Sequence, residues 1–326
     1  MAGHNASSAM RAALICLAVL GLMTAPLPGR AASPACTFSP GSSQPLFAGV
    51  QLQSVTVACS SLTSNAHVVA VDLATKGVSL VTLTAGTASA PRMLLVSNAL
   101  QMPNEVGVNA NLFTNCCTYS SPGDATSLLG LSYSNGVMWS PIGNNPQKSP
   151  PPGDFLSSLI VANGKAGIVT LAKGQALPPG LTLAVTGSHR ILTGGRNTAP
   201  TDTKPRDWFG PNARTVVGYN AGGSNGSAIT VPSLWLVAVD SVHGVSSGVT
   251  LPQAADLLLF LGASDGINLD GGGSTTMVRQ SNGTAALVNT PKDWPILGFC
   301  QVPAKSGPHC ERYVGFGLGV VAQPLP

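Results

Sequence analysis

The stretch Ile267-Asn268-Leu269-Asp270-Gly271-Gly272-Gly273-Ser274-Thr275-Thr276-Met277-Val278 reads as two short apolar strands joined by a polar loop. The first strand ends on Asp270. Three glycines then strip every Cβ from the turn, so a ligand or another backbone can approach the main chain closely. One carboxylate and the hydroxyls of Ser274, Thr275 and Thr276 gather at the same place. Charged residues make up only 9% of the chain, against roughly a quarter of an average soluble protein, so this concentration of polar groups marks the site where chemistry is expected.

The residues after the glycines exclude a nucleotide-binding loop. A phosphate-cradling loop needs strand, glycines and then a helix whose N-terminus takes the phosphate. Here Thr275–Arg279, an Asn282-Gly283 turn and Ala285–Val288 give the signature of a β-hairpin, and no lysine follows the glycines. Upstream lies the clearest helix of the chain. Thr250 is its N-cap, Gln253 completes a capping box and Pro252 sits in the first turn. Ala254, Ala255, Leu257, Leu258 and Leu261 form the buried face, and Gly262 stops the helix.

Short apolar runs separated by turn residues predict strands at Val55–Ala58, Val68–Leu73, Val78–Thr84, Met93–Val96, Ile168–Leu171, Leu181–Val185, Arg214–Tyr219, Leu234–Val239 and Val314–Val321. A second, weaker helix is expected at Asp154–Ala162. The Pro- and Asn-rich runs 140–153 and 196–212 read as loops within one domain. The expectation is an α+β fold: a single domain of mixed β-sheets with few helices.

Residues 1–32 carry the grammar of a secretory signal peptide. Arg11 is followed by the apolar run Ala12–Met23 and then by Pro26, Pro28, Ala31 and Ala32. The expected organisation is therefore a signal peptide at 1–32, an N-terminal extension at 33–59 and the main domain at 60–325. Export to a secreted or periplasmic location follows, with no membrane span thereafter. Losing the leader removes Arg11 and Arg30 but no acid, so the formal charge falls by two, from +4 to +2. So nearly neutral a surface argues against nucleic acid as a partner. Cys16 leaves with the leader. Six cysteines remain (Cys36, Cys59, Cys116, Cys117, Cys300 and Cys310), an even number that suits disulfides in an oxidising compartment. Fifteen pairings are open, with Cys300 and Cys310 the easiest local pair.

The Asn268–Ser274 run, with the helix and Gly262 just before it, resembles the signature of the phosphodiester glycosidase family. The resemblance continues in order along the chain. Val108-Asn109-Ala110-Asn111-Leu112-Phe113 is similar to an early asparagine–glycine–aromatic strand, and Arg214-Thr215-Val216-Val217-Gly218 to an Arg-Thr strand. Trp235–Asp240 is similar to a strand ending in aspartate. Asn289-Thr290-Pro291 and Glu311-Arg312 are similar to the closing segments. In this chain Asp240 is followed by Ser241, Val242 and His243, where the family usually carries glycine and a basic residue.

The resemblance implies a secreted hydrolase that cleaves a sugar-1-phosphodiester or a related glycan linkage. Phosphate is a good leaving group, so a carboxylate near the anomeric carbon and cations on the phosphate matter more than a strong general acid. Asp270 is the first choice for that carboxylate, as base or nucleophile, with Asp240 or Glu311 as the second. Arg214 and Arg312 are candidates to hold phosphate. Asn109, Asn268, Gly271, Gly272, Gly273 and Ser274 are candidates for the sugar hydroxyls and phosphate oxygens. These five separated segments are expected to converge on one open cleft.

No metal site and no cofactor are expected. Carboxylate and carbonyl oxygens at the Asp270 loop suit a divalent cation such as calcium or magnesium, but few acids cluster in sequence there. Gly222-Gly223-Ser224-Asn225-Gly226 fits the serine-hydrolase pattern formally, yet it lies in a hairpin loop rather than a strand-to-helix elbow. The alternative function is a non-catalytic extracellular glycan-binding protein on the same fold. Trp208 and Trp294 would then serve as walls of the sugar site and Trp235 as core. The expected partner is in either case a carbohydrate or sugar phosphate.

Overall fold

Strand Ser233–Val239 shows why the chain folds as it does. Leu234, Leu236 and Ala238 enter one hydrophobic cluster, while Trp235, Val237 and Val239 enter another on the opposite face. A strand covered on both faces is apolar throughout and belongs in the middle of a sheet. In this computed structural model, residues 36–59, 62–114, 123–147, 151–202, 204, 206–222, 231–242, 246–281, 283–292, 300–303 and 310–325 are described, within one compact unit, Ser33–Pro326.

The central sheet has eight strands: β1 (Cys36–Phe47), β2 (Val50–Cys59), β3 (Leu62–Asp72), β13 (His189–Thr193), β14 (Arg196–Asn197), β15 (Arg214–Asn220), β16 (Ser233–Val239) and β17 (Asp265–Asn268). They lie in the order β1-β2-β3-β16-β15-β17-β13-β14. A second sheet packs on one face, made of β4 (Ser79–Leu83), β7 (Glu105–Asn109), β18 (Met277–Ser281), β19 (Thr284–Leu287) and β22 (Gly317–Val321), in the order β19-β18-β7-β22-β4. The third contains β8 (Ser132–Ser134), β9 (Val137–Ser140), β10 (Ser157–Ala162), β11 (Lys165–Thr170) and β12 (Leu181–Thr186). Two small ribbons, β5 (Gly86–Thr87) with β6 (Ala90–Pro91) and β20 (Cys300–Pro303) with β21 (Cys310–Arg312), complete the strands. The helices are α1 (Val96–Ala99), α2 (Arg206–Phe209) and α3 (Leu251–Phe260). The result is the expected strand-dominated single domain with few helices.

Helix α3 covers the other face of the central sheet through Leu251, Ala254, Ala255, Leu257 and Leu258. Its start is as the sequence indicates. Gln253 N–H donates to Thr250 Oγ1 at 3.4 Å, and the Thr250 N–H donates to Gln253 Oε1 at 2.9 Å. The hairpin after the glycines also forms, with Val278 paired to Leu287 and Ser281 to Thr284.

Two local expectations are corrected. Residues of the expected helix Asp154–Ala162 instead form β10, because Leu159 and Ile160 enter clusters on opposite sides of the third sheet, which a helix stripe cannot do. The hydroxyls of Ser157 and Ser158 meet those of Thr170 and Thr186 on the flanking strands at 2.9 and 2.6 Å. Met93–Val96 is not a strand. Leu94 makes an isolated bridge to Val314, and α1 begins at Val96.

Cys36 and Cys59, register partners across the β1–β2 hairpin, are disulfide-bonded. Cys310 is also disulfide-bonded, on a strand antiparallel to β20. The Cys300 side chain, Cys116, Cys117, Trp294, Ser224 and the leader segment lie outside the described residues. No helix among the described residues is long and apolar enough to cross a membrane.

Candidate active site

Three neighbouring strands deliver the candidate residues to one edge of the central sheet. β16 and β17 both run antiparallel to the intervening β15, so Asp240 and Asp270 emerge at the edge where β15 begins with Arg214. Two strand spacings, about 10 Å, separate the two emerging backbones.

The Asp270 loop is held almost entirely through its main chain. Leu269 N–H donates to Thr215 O, Asp270 N–H to Ala110 O and Gly272 N–H to Ala213 O, each at 2.9 Å. Residues Gly272–Ser274 then make a single 3-10 turn. The Gly271 N–H donates to Asp270 Oδ1 at 2.9 Å. A Cβ on Gly271 would stand 2.9 Å from Ala213 O, and Gly272 has a φ of +63°. Close approach and a left-handed backbone thus account for two of the three glycines.

Asp270 as a residue is partly exposed, while its carboxyl is crowded by protein atoms. Burial raises its pKa from 3.8 to about 6, and the Ser274 hydroxyl, the Arg312 charge and the Gly271 N–H oppose that rise in part. Ser274 Oγ acts there as a nearby dipole, because it makes no hydrogen bond of normal geometry. It shares this state with Asn268 Oδ1, Thr275 Oγ1 and Thr276 Oγ1, all buried and without a partner. Buried polar atoms are nearly always bonded, so four unbonded ones within nine residues leave unused hydrogen-bonding capacity packed beneath the glycine loop.

Asn109 is fully engaged by the protein. Its Nδ2 donates to Asp270 O at 2.7 Å, and its Oδ1 accepts from Thr215 Oγ1 at 2.6 Å and from Thr276 N–H at 3.0 Å. It positions the loop rather than offering a free amide. Asn268 donates from Nδ2 to Ser188 Oγ at 3.0 Å and to Leu269 O at 2.8 Å, which leaves Oδ1 open.

Arg214 is buried, and desolvation lowers its pKa to about 10. Its Nε donates to Val249 O at 3.1 Å, and Nη2 donates to the carbonyls of Trp208 and Gly210 at 2.7 Å each. Asp240 uses both oxygens: Oδ2 meets His67 Nε2 at 3.0 Å and Oδ1 accepts from Thr290 N–H at 3.0 Å. Glu311 has no exposed surface. Its Oε1 accepts from Ser97 N–H at 3.0 Å, while Oε2 and the neighbouring Ser97 hydroxyl are unbonded. Burial raises the Glu311 pKa. Of the candidate charged groups, Asp270 and Arg312 are therefore brought together, while Arg214, Asp240 and Glu311 fasten surrounding segments.

Two further residues stand beside the site. Lys292 Nζ donates to Asn212 Oδ1 at 2.8 Å, and Asn212 is the nearest side chain to Gly272, which places a cation next to the glycine loop. Lys292 directly follows Asn289-Thr290-Pro291, and that adjacency was its only signal. His189 pairs with Asn268 across the sheet, bonds Ser188 Oγ through Nδ1 at 3.1 Å and packs edge-on to Phe209. Burial lowers its pKa, opposed by Asp154 and Asp202 and reinforced by Arg214. Nothing in the sequence gives the register that brings it there. Among the described residues no group of three or more His, Cys, Asp or Glu side chains is placed to hold a metal ion.

The architecture is shared with known structures. A hypothetical protein from Synechocystis aligns with a TM-score of 0.53 at 16% identity, covering 84% of this chain and 62% of that one. The catalytic domain of zebrafish N-acetylglucosamine-1-phosphodiester alpha-N-acetylglucosaminidase, auto-inhibited by its pro-peptide, aligns at 0.53 with 17% identity, covering 89% of each chain. An exported protein from Burkholderia pseudomallei aligns at 0.56 with 14% identity, covering 88% of this chain and 96% of that one. Among curated protein sequences none matches. The family model for phosphodiester glycosidase matches residues 105–321. That span holds Asn109, Arg214, Asp240, Asp270 and Glu311 alike, and the chain belongs to the phosphodiester glycosidase family.

Proposed function

We propose that this protein is a secreted or periplasmic glycosidase that hydrolyses a sugar-1-phosphodiester or a related glycan linkage. The observation that carries the reading is Asp270: a partly exposed residue whose carboxyl has a pKa near 6, beside the Cβ-free turn Gly271–Gly273 and within the field of Arg312. Family membership supports a carbohydrate substrate, and the Cys36–Cys59 bridge supports an oxidising compartment.

Above pH 6 the Asp270 carboxylate is ionised and faces the anomeric carbon as base or nucleophile, where oxocarbenium character develops. Arg312 holds the departing phosphate, with Lys292 at the other side of the loop. The partly exposed main chain of Gly271 and Gly272 takes the sugar hydroxyls. Asn109, Arg214 and Asp240 keep the loop and its neighbours in place. No cofactor enters this scheme.

The test is incubation of the wild-type protein and Asp270→Asn with a panel of sugar-1-phosphodiesters and neutral aryl glycosides. Product release by the wild type alone supports the hydrolase. Saccharide binding without turnover in both proteins would leave the glycan-binding alternative.

A further inference from the structure

A cavity of about 360 Å³ lies between the β1–β2 hairpin and the β18–β19 hairpin, on the face of the central sheet to which Leu52, His67 and Val69 belong. Its walls come from two unrelated parts of the chain. Gln44, Leu52, Gln53, Ser54 and His67 precede residue 105, where the match to the family begins, while Arg279, Leu287 and Val288 lie inside it.

The chemistry of this cavity is specific. Arg279 is half-buried on β18, and among the described residues its guanidinium has neither an ion-pair nor a hydrogen-bond partner. An arginine fork without a carboxylate presents parallel N–H donors suited to a planar or tetrahedral oxyanion. Among the described residues the side chains of Gln44 and Ser54 likewise have no hydrogen-bond partner. His67 spends Nε2 on Asp240, which leaves Nδ1 for a ligand. Beneath these groups Leu52, Leu287 and Val288 form an apolar floor. A single cation, several neutral hydrogen-bonding groups and a small aliphatic surface match a polyhydroxylated ring carrying one negative group. Among the lining residues the one aromatic ring is the imidazole of His67, already held by Asp240, and the volume of the cavity is at the small end of ligand sites.

We infer that this cavity is a second ligand site, separate from the Asp270 loop, for a saccharide bearing a carboxylate or phosphate. Arg279 takes the anion, Gln44, Ser54 and His67 take the hydroxyls, and the aliphatic floor takes the C–H face of the ring.

Calorimetric titration with glucuronate and with glucose 1-phosphate tests this, with glucose and inorganic phosphate as controls. The titration is performed on the wild-type protein and on Asp270→Asn, Arg279→Ala and Gln44→Ala. At least one anionic sugar is expected to bind saturably, to the same extent in wild type and Asp270→Asn. Arg279→Ala should weaken that binding by about ten-fold or more, and Gln44→Ala, on an exposed edge strand, by a few-fold. Binding independent of Asp270 separates this site from the proposed hydrolytic one, so either reading can fail alone. Absence of binding by both acids overturns the inference, as does wild-type affinity in the two pocket variants. Glucose binding as tightly as the acids removes the role of Arg279. Equal affinity for inorganic phosphate and glucose 1-phosphate removes the saccharide. Should Arg279→Ala fail to fold, Gln44→Ala decides.

Discussion

Asn109 and Asp270, 161 residues apart in the chain, are joined by a 2.7 Å hydrogen bond from the Asn109 amide to the Asp270 carbonyl. The other end of the same side chain receives Thr215 Oγ1 and the Thr276 N–H. One carboxamide therefore ties the Asp270 loop to β15 and to the start of β18. Asn109→Ala leaves a buried carbonyl and a buried N–H unbonded, each costing of order 1–3 kcal/mol. Urea unfolding is expected to show a loss of about 3 kcal/mol, with turnover falling further than the unfolded fraction accounts for. Full stability with unchanged turnover would contradict the positioning role.

Asp270 sets the direction of the pH dependence. Its pKa is raised in the folded state, from 3.8 to about 6. Between those values the native protein binds more protons than the unfolded chain, so stability falls as pH rises through the window and levels off above it. Glu105 and Glu311 are also raised by burial and act in the same direction. Asp270→Asn is expected to flatten part of the decline between pH 4 and pH 6 in thermal melts. Turnover by the wild type should rise with pH through about 6, as the carboxylate forms. A rate that falls across that interval would assign Asp270 the opposite, acidic role.

Arg214 is expected to act on stability before affinity. Its bonds run to the carbonyls of Trp208, Gly210 and Val249, and a lysine cannot span three such acceptors. Arg214→Lys should cost about 3 kcal/mol and loosen residues 208–210, seen as faster amide exchange there and at Val249. Retained exchange protection combined with a large rise in KM would instead place the guanidinium on substrate.

These residues separate what the chain order reveals from what it hides. The glycine loop, the following hairpin and α3 rest on neighbours within a few positions, and their turn and capping residues declare them. β10 does not, because Leu159 and Ile160 become strand residues only when cores exist on both sides of them. Arg214 and Asp240 are close in register, Arg214 facing Val239, yet the pleat sends them to opposite faces: Val239 joins the cluster under α3, Ala238 the other. Their convergence in sequence-based reading is one of backbones, not of side chains. Glu311 likewise reads as a candidate second carboxylate until it is seen buried against Ser97 of α1.

The Cys36–Cys59 bridge closes a hairpin at a sequence separation of 23 residues. The chain-entropy model gives about 3 kcal/mol for a loop of that size, but the β1–β2 ladder already restrains its ends. Cys36→Ser with Cys59→Ser should therefore cost less than 3 kcal/mol and show its effect as faster exchange over Cys36–Pro40, at the sheet edge. Global unfolding at ambient temperature would mean that the hairpin supports the whole sheet.

Gly271 and Gly272 offer the sharpest contrast, because their side-chain space differs. A methyl on Gly271 meets the Ala213 carbonyl at 2.9 Å, the same oxygen that accepts the Gly272 N–H. Relief requires moving the loop away from β15, which carries Asp270 with it. At Gly272 the nearest atom is 3.8 Å away, but φ is +63°, so the cost is conformational and of order 1–2 kcal/mol. Gly272→Ala is thus expected to lower the melting temperature by several degrees and to leave kcat within a few-fold of wild type. Gly271→Ala should reduce kcat by about a hundred-fold, since displacements near 1 Å carry losses of that order. Kinetics and melts on the two variants at one pH distinguish them, and the reverse ranking of kcat would mean that the loop does not place the reacting carboxylate.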